Sequence, residues 1–317
     1  MARRAVTLLM PARSRFGGQR LSESAGRWFA RADRSDPGGE LVQRQFDVLP
    51  RGWPVAAVTR QRDAGDAAGS AWVRADPVYI QPEINGARLM AHGDALSLSE
   101  ADTAAFLPAL KPYFGDGGTL LDAPVPSRWY LQMPAGAKLP AMASLDNALG
   151  ADLFEQLPDG PDGRRWRALL SEAQVILHNH PRNAKRAALG LAPVNSLWFW
   201  GAGTLPDHVR TAHARIASDD DTLTAFATAA GVPAGPLPAR WTQDGEGLFD
   251  LRHLRDLAVF DRDWWQPLSV QLGSGGIASV AIEFADGHRL DLLPRHRWRF
   301  WRRPMRSFVN PAPDSVQ

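Results

Sequence analysis

The sequence predicts an α/β protein whose core is built from both ends of the chain, with an α+β region inserted between them. Three observations carry this expectation. Ala5 to Met10 is a short apolar run followed, after a Gly-rich loop, by apolar residues at helical spacing, the strand-to-helix opening of an α/β domain. Near the other end, two alternating runs flank Asp286-Gly287, the pattern of a β-hairpin. The 317 residues, 44% of them hydrophobic, suffice for two domains or for one domain with a large insert.

In order along the chain, Leu21 to Ala32 has amphipathic helical spacing with Ser22 as its cap, and the polar stretch from Asp33 to Glu40 reads as a loop. Trp53 to Thr59 is a strand or a strand–helix junction, before a loop of small residues from Asp63 to Ser70. Trp72 to Pro82 reads as an extended segment, and Arg88 to Ala91 as another strand after an Asn85-Gly86 turn. Leu98 to Tyr113 is a helix opened by Ser99 and the acids that follow, with Pro108 as a kink or restart point. Beyond a Gly115 to Gly118 loop, Ser127 to Met133 alternates as a strand. Gly163 to Glu172 is helical, and Val175 to Leu177 reads as a short buried strand bounded by Pro181. Asn183 to Leu189 is a short helix stopped by Gly190; Ser196 to Trp200 is a second buried strand with a tight exit at Gly201-Ala202-Gly203. Thr222 to Ala230 is a helix capped by the Asp219-Asp220-Asp221 run, Val232 to Pro238 a linker-like loop, Leu248 to Phe260 a helix, and Trp264 to Leu272 an amphipathic element. Ala278 to Phe284 and Arg289 to Leu293 form the hairpin.

Composition limits the chemistry. The chain has no cysteine, which excludes disulfides, thiolate catalysis, zinc fingers and iron–sulfur clusters. A net charge of +2 and an isoelectric point near 9.3 are too mildly basic to argue for nucleic acid on bulk charge. No stretch approaches the roughly 18 apolar residues of a membrane span, and the opening run ends at Pro11, too short for a signal peptide. A cytoplasmic location is the expectation. Three adjacent acids at 219–221 point in different directions, so they suit a helix cap better than a cation.

The densest set of polar groups lies between Val175 and Gly203. Two strand ends would bring His180, Asn183, Arg186 and Asn195 together, and forked cations, amides and an imidazole suit an anionic small molecule. Equally, these residues cap turns and solvate a helix. Their spacing, N-H-P-x-N-x-x-R-x-x-x-G-x-x-P-x-N-S-x-W-x-W-G-x-G, resembles a segment of the archaeal-type cofactor-independent phosphoglycerate mutases. Over nearly the whole chain the sequence resembles the RpfE-type regulatory proteins of bacteria, a family related to those mutases.

That resemblance implies a reduced alkaline phosphatase-like core from residues 1–70 and 206–309. An insert region like that of the mutases would span 71–205, and a disordered tail 310–317. It also implies that Arg74 and Arg128 lie where the mutases keep arginines near substrate. The expected ligand-binding set is thus Arg74, Arg128 and Arg186 as anion clamps, His180 as hydrogen-bond donor or residual acid/base, and Asn183 and Asn195 to orient the ligand. The catalytic parts depart from the family: the first strand ends Met10-Pro11-Ala12 where an Asp-Gly would supply a metal ligand. Thr59 is the one candidate nucleophile, the segment from Ser144 to Gly150 lacks a histidine, and no D-x-x-x-H pattern occurs later.

The expected function is therefore that of a regulatory, non-catalytic relative of phosphoglycerate mutase binding a phosphorylated or carboxylated metabolite, with no cofactor and with a protein partner open. A metal-dependent mutase or phosphatase, using Mn²⁺ or Mg²⁺, is one alternative. A nucleic-acid-binding regulator is the other, resting on R-H-R-W-R-F-W-R-R-P-M-R at 295–306. Those cations and aromatics equally suit an anionic membrane surface, or an edge strand with its aromatics buried.

Overall fold

The computed structural model describes residues 4–84, 86–115, 119–243 and 245–309. Contacts divide the chain into two compact units, Met1–Asp47 with His208–Gln317, and Val48–Asp207. The fold is α/β, a sequence-discontinuous core unit and an α+β unit inserted in it, as the sequence predicts. The division falls earlier than residue 70, because the segment 48–70 carries a helix whose alanines lie on the inserted sheet.

In the first unit, β1 (Ala5–Met10) is buried from Val6 onward. Helix α1 (Glu23–Arg31) starts at Ser22, whose Oγ accepts the Ala25 N–H at 3.2 Å. A three-residue polar edge strand, β2 (Asp33–Ser35), lies where a loop was expected; it is exposed and joins the sheet by backbone pairing, so no apolar alternation marks it. β3 (Asp47–Leu49) carries the chain out of this first part of the core unit.

The inserted unit begins with α2 (Val55–Ala64), followed by β4 (Ala71–Glu83), β5 (Gly86–His92) and α3 (Glu100–Gly115), which runs through Pro108 and Pro112 without a restart. Next come β6 (Leu121–Val125), β7 (Arg128–Met133), the four-residue helices α4 (Leu145–Ala148) and α5 (Leu153–Gln156), α6 (Gly160–His178), α7 (Arg182–Ala188) and β8 (Ser196–Thr204). Strand β4 organises the antiparallel sheet, pairing with β8 along one edge and with β7 and then β5 along the other. Alternation sorts its side chains: Val73 and Ala75 join the core beneath α3 and α6, whereas Trp72 packs with the alanines of α2.

Val175 to Leu177, expected as a strand, is the last turn of α6. Trp166, Leu170, Ala173 and Leu177 are buried at steps of four, three and four, and Val175 is 65% exposed, which is helical rather than strand periodicity. The helix therefore continues through a three-residue apolar run that is too short to decide by itself. Nor is Gly201-Ala202-Gly203 an exit. Both glycines lie inside β8, where a Cβ on Gly201 would approach Val55 Cβ to 2.8 Å, and one on Gly203 would approach Pro54 Cβ to 2.6 Å. Their missing side chains let α2 start against the strand.

The chain returns to the core unit through β9 (His208–Arg210), β10 (Ile216–Ala217), α8 (Asp221–Ala229) and the two-residue β11 (Ala234–Gly235), and then enters β12 (Gly247–Asp250). Leu248 to Phe260 is thus not one helix: β12 is buried on both faces between β10 and β1, and only α9 (Leu257–Phe260) is helical. A strand buried on both faces shows a continuous apolar run, which periodicity cannot distinguish from a helix. A π-helical turn, Asp261–Trp265, leads into α10 (Gln266–Ser274), and β13 (Ser279–Phe284) with β14 (Arg289–Leu292) completes the expected hairpin. The seven-stranded order is β11-β10-β12-β1-β13-β14-β2, with β11 through β13 parallel.

Residues 295–306 are not an edge strand. Pro294–Trp298 is a 3₁₀ turn, and the following strap hydrogen-bonds to α1 and its approach, Leu21 N–H to Arg306 O and Met305 N–H to Gly26 O. Gly26 is required there because the Met305 carbonyl sits where a Cβ would lie. Asn85 of its predicted turn, residues 116–118 of the Gly115 to Gly118 loop and the tail 310–317 lie outside the described residues. Among those described, no helix is long and apolar enough to cross a membrane.

Two histidines of the core unit couple its stability to pH. His213 has Nε2 3.0 Å from Gln45 Oε1, and His296, fully buried, has Nε2 3.3 Å from Asp33 Oδ2. Burial, reinforced by Arg289 in the first case and by Arg299 in the second, pulls both imidazoles below the ordinary histidine value. The unfolded chain then binds protons that the folded chain refuses. Stability is complete above about pH 6.5 and is lost as pH falls through and below that value. Tm should accordingly drop between about pH 7.5 and about pH 5.5, and the His213→Gln/His296→Gln double variant should show a shallower drop; equal slopes would refute the assignment.

Candidate functional site

The central motif is built from residues that bond to the protein itself. Asn183 Nδ2 donates to Leu177 O at 2.8 Å and Val194 O at 2.9 Å, and its Oδ1 accepts the Val194 N–H at 2.9 Å. Asn195 imitates a strand, accepting the Ile80 N–H at 2.8 Å and donating to Ile80 O at 2.7 Å. Arg186, 1% exposed, donates to Ala192 O, to Leu96 O and, at 2.8 Å, to Asp102. His180 Nδ1 accepts the Arg182 N–H at 3.2 Å, and its ring lies 4.8 Å from Phe106. His180, Asn183 and Arg186 lie at and after the α6–α7 junction rather than at a strand end, and their bonds, with those of Asn195, tie α6, α7 and the start of β8 to α3 and β4. Burial would raise the Asp102 carboxyl, but Ser99, Arg182 and Arg186 together hold it below the usual carboxylate range.

Arg74 and Arg128 belong to a second cluster, on the α2 face of the same sheet. Arg74 is buried against Asp76, with Nε at 3.0 Å and Nη2 at 2.8 Å from Oδ1, and its guanidinium lies 5.3 Å from the rings of Tyr130 and Trp200. Tyr130 donates its hydroxyl to Asp63 at 2.6 Å, and Arg128 forks onto the same carboxylate at 2.7 and 3.0 Å. Burial, with Asp63 accepting its proton, pushes the Tyr130 phenol up. Asp63 itself is held down by Arg128 and Tyr130 against the upward pull of burial. The sequence reading missed Arg60, which is 4% exposed, stacks 4.6 Å over Trp72, and holds Asp66 bidentately at 2.6 Å on each nitrogen, with Asp122 on its third. The signal was present in R-Q-R-D-A-G-D at the end of α2, arginines one turn from acids beyond a helix stop.

Thr59 sits inside α2, fully buried, with Oγ1 bonded to Val55 O at 2.7 Å and Arg74 at 3.5 Å. That is a helix hydroxyl bonding back to its own turn.

The third cluster lies at the carboxyl ends of β10 and β12, where open α/β sheets present ligand-binding groups. Asp250 accepts the Ser218 hydroxyl at 2.8 Å, and Arg252 forks onto it at 2.8 and 2.9 Å while reaching Asp220 at 3.1 Å. Although burial would raise the Asp250 carboxyl, Arg252 and Ser218 lower it. Asp220 caps α8 through the Leu223 N–H at 2.8 Å, as expected of that acidic run, while Asp219 accepts the Leu237 N–H at 3.1 Å. The sequence reading missed Asp250 because the strand that ends in it was taken for helix.

A divalent ion of the kind used by the mutases needs several oxygen or nitrogen ligands converging from separate elements. Among the described residues no group of three or more His, Asp or Glu side chains converges in that way. At the sheet edge the carboxylates of Asp250 and Asp220 face a guanidinium. The residues present do not fit the ion.

No protein-family model matches the chain. Local similarity is found to 2,3-bisphosphoglycerate-independent phosphoglycerate mutases: a probable one from Geobacter sulfurreducens, 39% identical over 57 residues, 18% of this chain and 14% of that protein, and one from Methanosarcina mazei, 40% identical over 57 residues with the same coverage. A third, from Methanothrix thermoacetophila, is 34% identical over 62 residues, covering 20% of this chain and 16% of the relative. The matches thus span about one seventh of the length of these relatives. Among solved structures, a cofactor-independent phosphoglycerate mutase from Thermoplasma acidophilum aligns with a TM-score of 0.42 at 14% identity, over 92% of this chain and 89% of that one. A Pyrococcus horikoshii protein aligns at 0.43 with 10% identity, over 92% and 87%.

The pair between Arg186 and Asp102 is the joint of the central motif. Removing one partner of such a pair strands a buried charge, so Arg186→Ala should lower unfolding stability by about 3–5 kcal/mol in urea titration. A loss under about 1 kcal/mol would show that the motif does not hold the unit together.

Proposed function

We propose that this protein is a phosphoglycerate mutase-like regulatory protein, of the RpfE type, which binds a phosphorylated or carboxylated metabolite without turning it over. The observation that carries the reading is Arg252, whose guanidinium bridges Asp250 and Asp220 at the carboxyl edge of the parallel sheet. A tethered cation there neutralises the carboxylates that a catalytic ion would need. Mn²⁺ or Mg²⁺ would matter only to the mutase alternative. A cytoplasmic site of action and a protein partner downstream fit a regulatory role.

The ligand's entry point in this reading is the α2 face. Arg60 is nearly buried and preoriented by Trp72 and Tyr130, while its partners Asp66 and Asp122 are 54% and 35% exposed. Asp66, held below the usual carboxylate range by its hydrogen bonds from Arg60, is the group that an incoming carboxylate or phosphate would displace in the same bidentate geometry. Arg74 and Arg128 set the charge of the surroundings. His180, Asn183, Arg186 and Asn195 hold the framework in place.

Thermal shift with 3-phosphoglycerate, 2-phosphoglycerate and phosphoenolpyruvate, with and without Mn²⁺, tests this. A ligand at about 100 times its Kd adds roughly 2.7 kcal/mol, a readable shift. Metal-independent stabilisation that becomes stronger in Asp66→Asn is the expected result. Interconversion of the two phosphoglycerates with Mn²⁺ would overturn the non-catalytic reading, the absence of a shift with every anion would overturn metabolite binding, and a shift that Asp66→Asn leaves unchanged would remove Arg60 from the site.

A further inference from the structure

Among the described residues, the Arg-rich segment of the core unit presents the most exposed aromatic side chains in one short turn. Trp298, Phe300 and Trp301 are 63%, 77% and 69% exposed. Phe300 and Trp301 meet edge to face at 5.6 Å, and Arg297 covers the Trp298 ring at 4.9 Å. The backbone beneath them is fixed: Arg297 donates to Gly273 O at 2.6 Å, Arg302 to Ala30 O and Ala32 O at 3.2 and 3.0 Å, and Arg299 to Arg31 O at 2.8 Å. Carbonyl oxygens anchor Arg297 and Arg302 without cancelling their charge, and Arg295, Arg303 and Arg306 stand exposed beside them. Asp33 neutralises Arg299.

We propose that this turn docks the protein on an anionic lipid surface, the aromatic rings entering the headgroup layer and the surrounding arginines meeting the lipid phosphates. Charge complementarity selects an anionic partner, and the shape of the patch selects which one. Neighbouring rings exposed to this degree have no walls beside them, whereas single-stranded nucleic acid is held in a groove with free stacking faces, and Arg297 already occupies one face of Trp298. The exposed aromatic area, roughly 300–500 Å², falls short of the about 800 Å² per partner of a stable protein interface. A bilayer sets no such threshold. Tryptophan and phenylalanine partition to the interface, and each nearby arginine adds about fivefold in affinity for an anionic surface. One apolar contact together with a basic patch is the two-signal arrangement that holds a protein reversibly on a membrane.

The test is co-sedimentation of the full chain with phosphatidylcholine vesicles, with or without phosphatidylglycerol, at low and high salt. Binding should require phosphatidylglycerol and weaken with salt. It should fall about tenfold or more in Trp298→Ala/Phe300→Ala/Trp301→Ala, and about tenfold or more in Arg295→Gln/Arg303→Gln, both with unchanged Tm because the side chains are exposed. Failure to bind anionic vesicles, equal binding to neutral ones, retention of binding in either variant, or binding of oligothymidine in place of vesicles would overturn the proposal.

Discussion

A guanidinium withdrawn from water must be matched by carboxylates or carbonyls, and both units are arranged around meeting that demand. Arg186 joins α7 to α3 through Asp102, Arg74 lies along β4 against Asp76, Arg128 ties β7 to Asp63 at the end of α2, and Arg252 closes the edge of the parallel sheet on Asp250. Such pairs add little net stability over well-packed apolar residues of the same size. Their contribution is in geometry. Each guanidinium accepts a narrow set of partners in fixed directions, so a helix one residue out of register would leave a charge unmatched in the interior. The aromatic rings over and beside Arg60 and Arg74 narrow those directions further.

Elements with a period of their own were legible in the sequence. β1, α1, α3, α7, α8 and the β13–β14 hairpin all lie where alternation, helical spacing, caps and turn residues place them. Those that failed did so for identifiable reasons. Val175 to Leu177 was cut from a helix that carries its pattern through Trp166, Leu170, Ala173 and Leu177. β12 is buried on both faces and so shows no alternation. β2 has three polar exposed residues that pair with β14 through the backbone, and its one side-chain tie, Asp33 to Arg299 and His296, carries no strand periodicity.

The polar residues were harder to read, because hydrogen-bonding capacity is legible in a sequence and its destination is not. Asn183, Arg186 and Asn195 have the donors and acceptors of an anion site, and spend them on Leu177, Val194, Ala192 and Ile80. Nothing in residue type separates an asparagine that replaces a strand partner from one that orients a ligand. The distinction appears only once the backbone places an unpaired carbonyl or N–H within reach. The same holds for the Arg/Trp turn: its cations and aromatics fit an edge strand with buried rings, yet Pro294 and Pro304 flank a chain held to α1 by backbone and guanidinium contacts, which leaves the rings outside.

One asymmetry separates a closed ion pair from a usable one. At Arg252 the principal partner, Asp250, is 7% exposed, so a competing anion would have to displace a carboxylate that is itself buried. At Arg186 both partners of the pair are buried, so exchange would require opening the sheet–helix interface. Among the described residues, only around Arg60 does a nearly buried, ring-supported guanidinium meet a carboxylate that is more than half in water. Exposed carboxylates lose little by returning to solvent, because water replaces the hydrogen bonds they give up. A ligand competing there displaces the exposed Asp66, with Asp122 still on the third nitrogen, and gains a preorganised fork, the condition under which an internal salt bridge becomes a binding site.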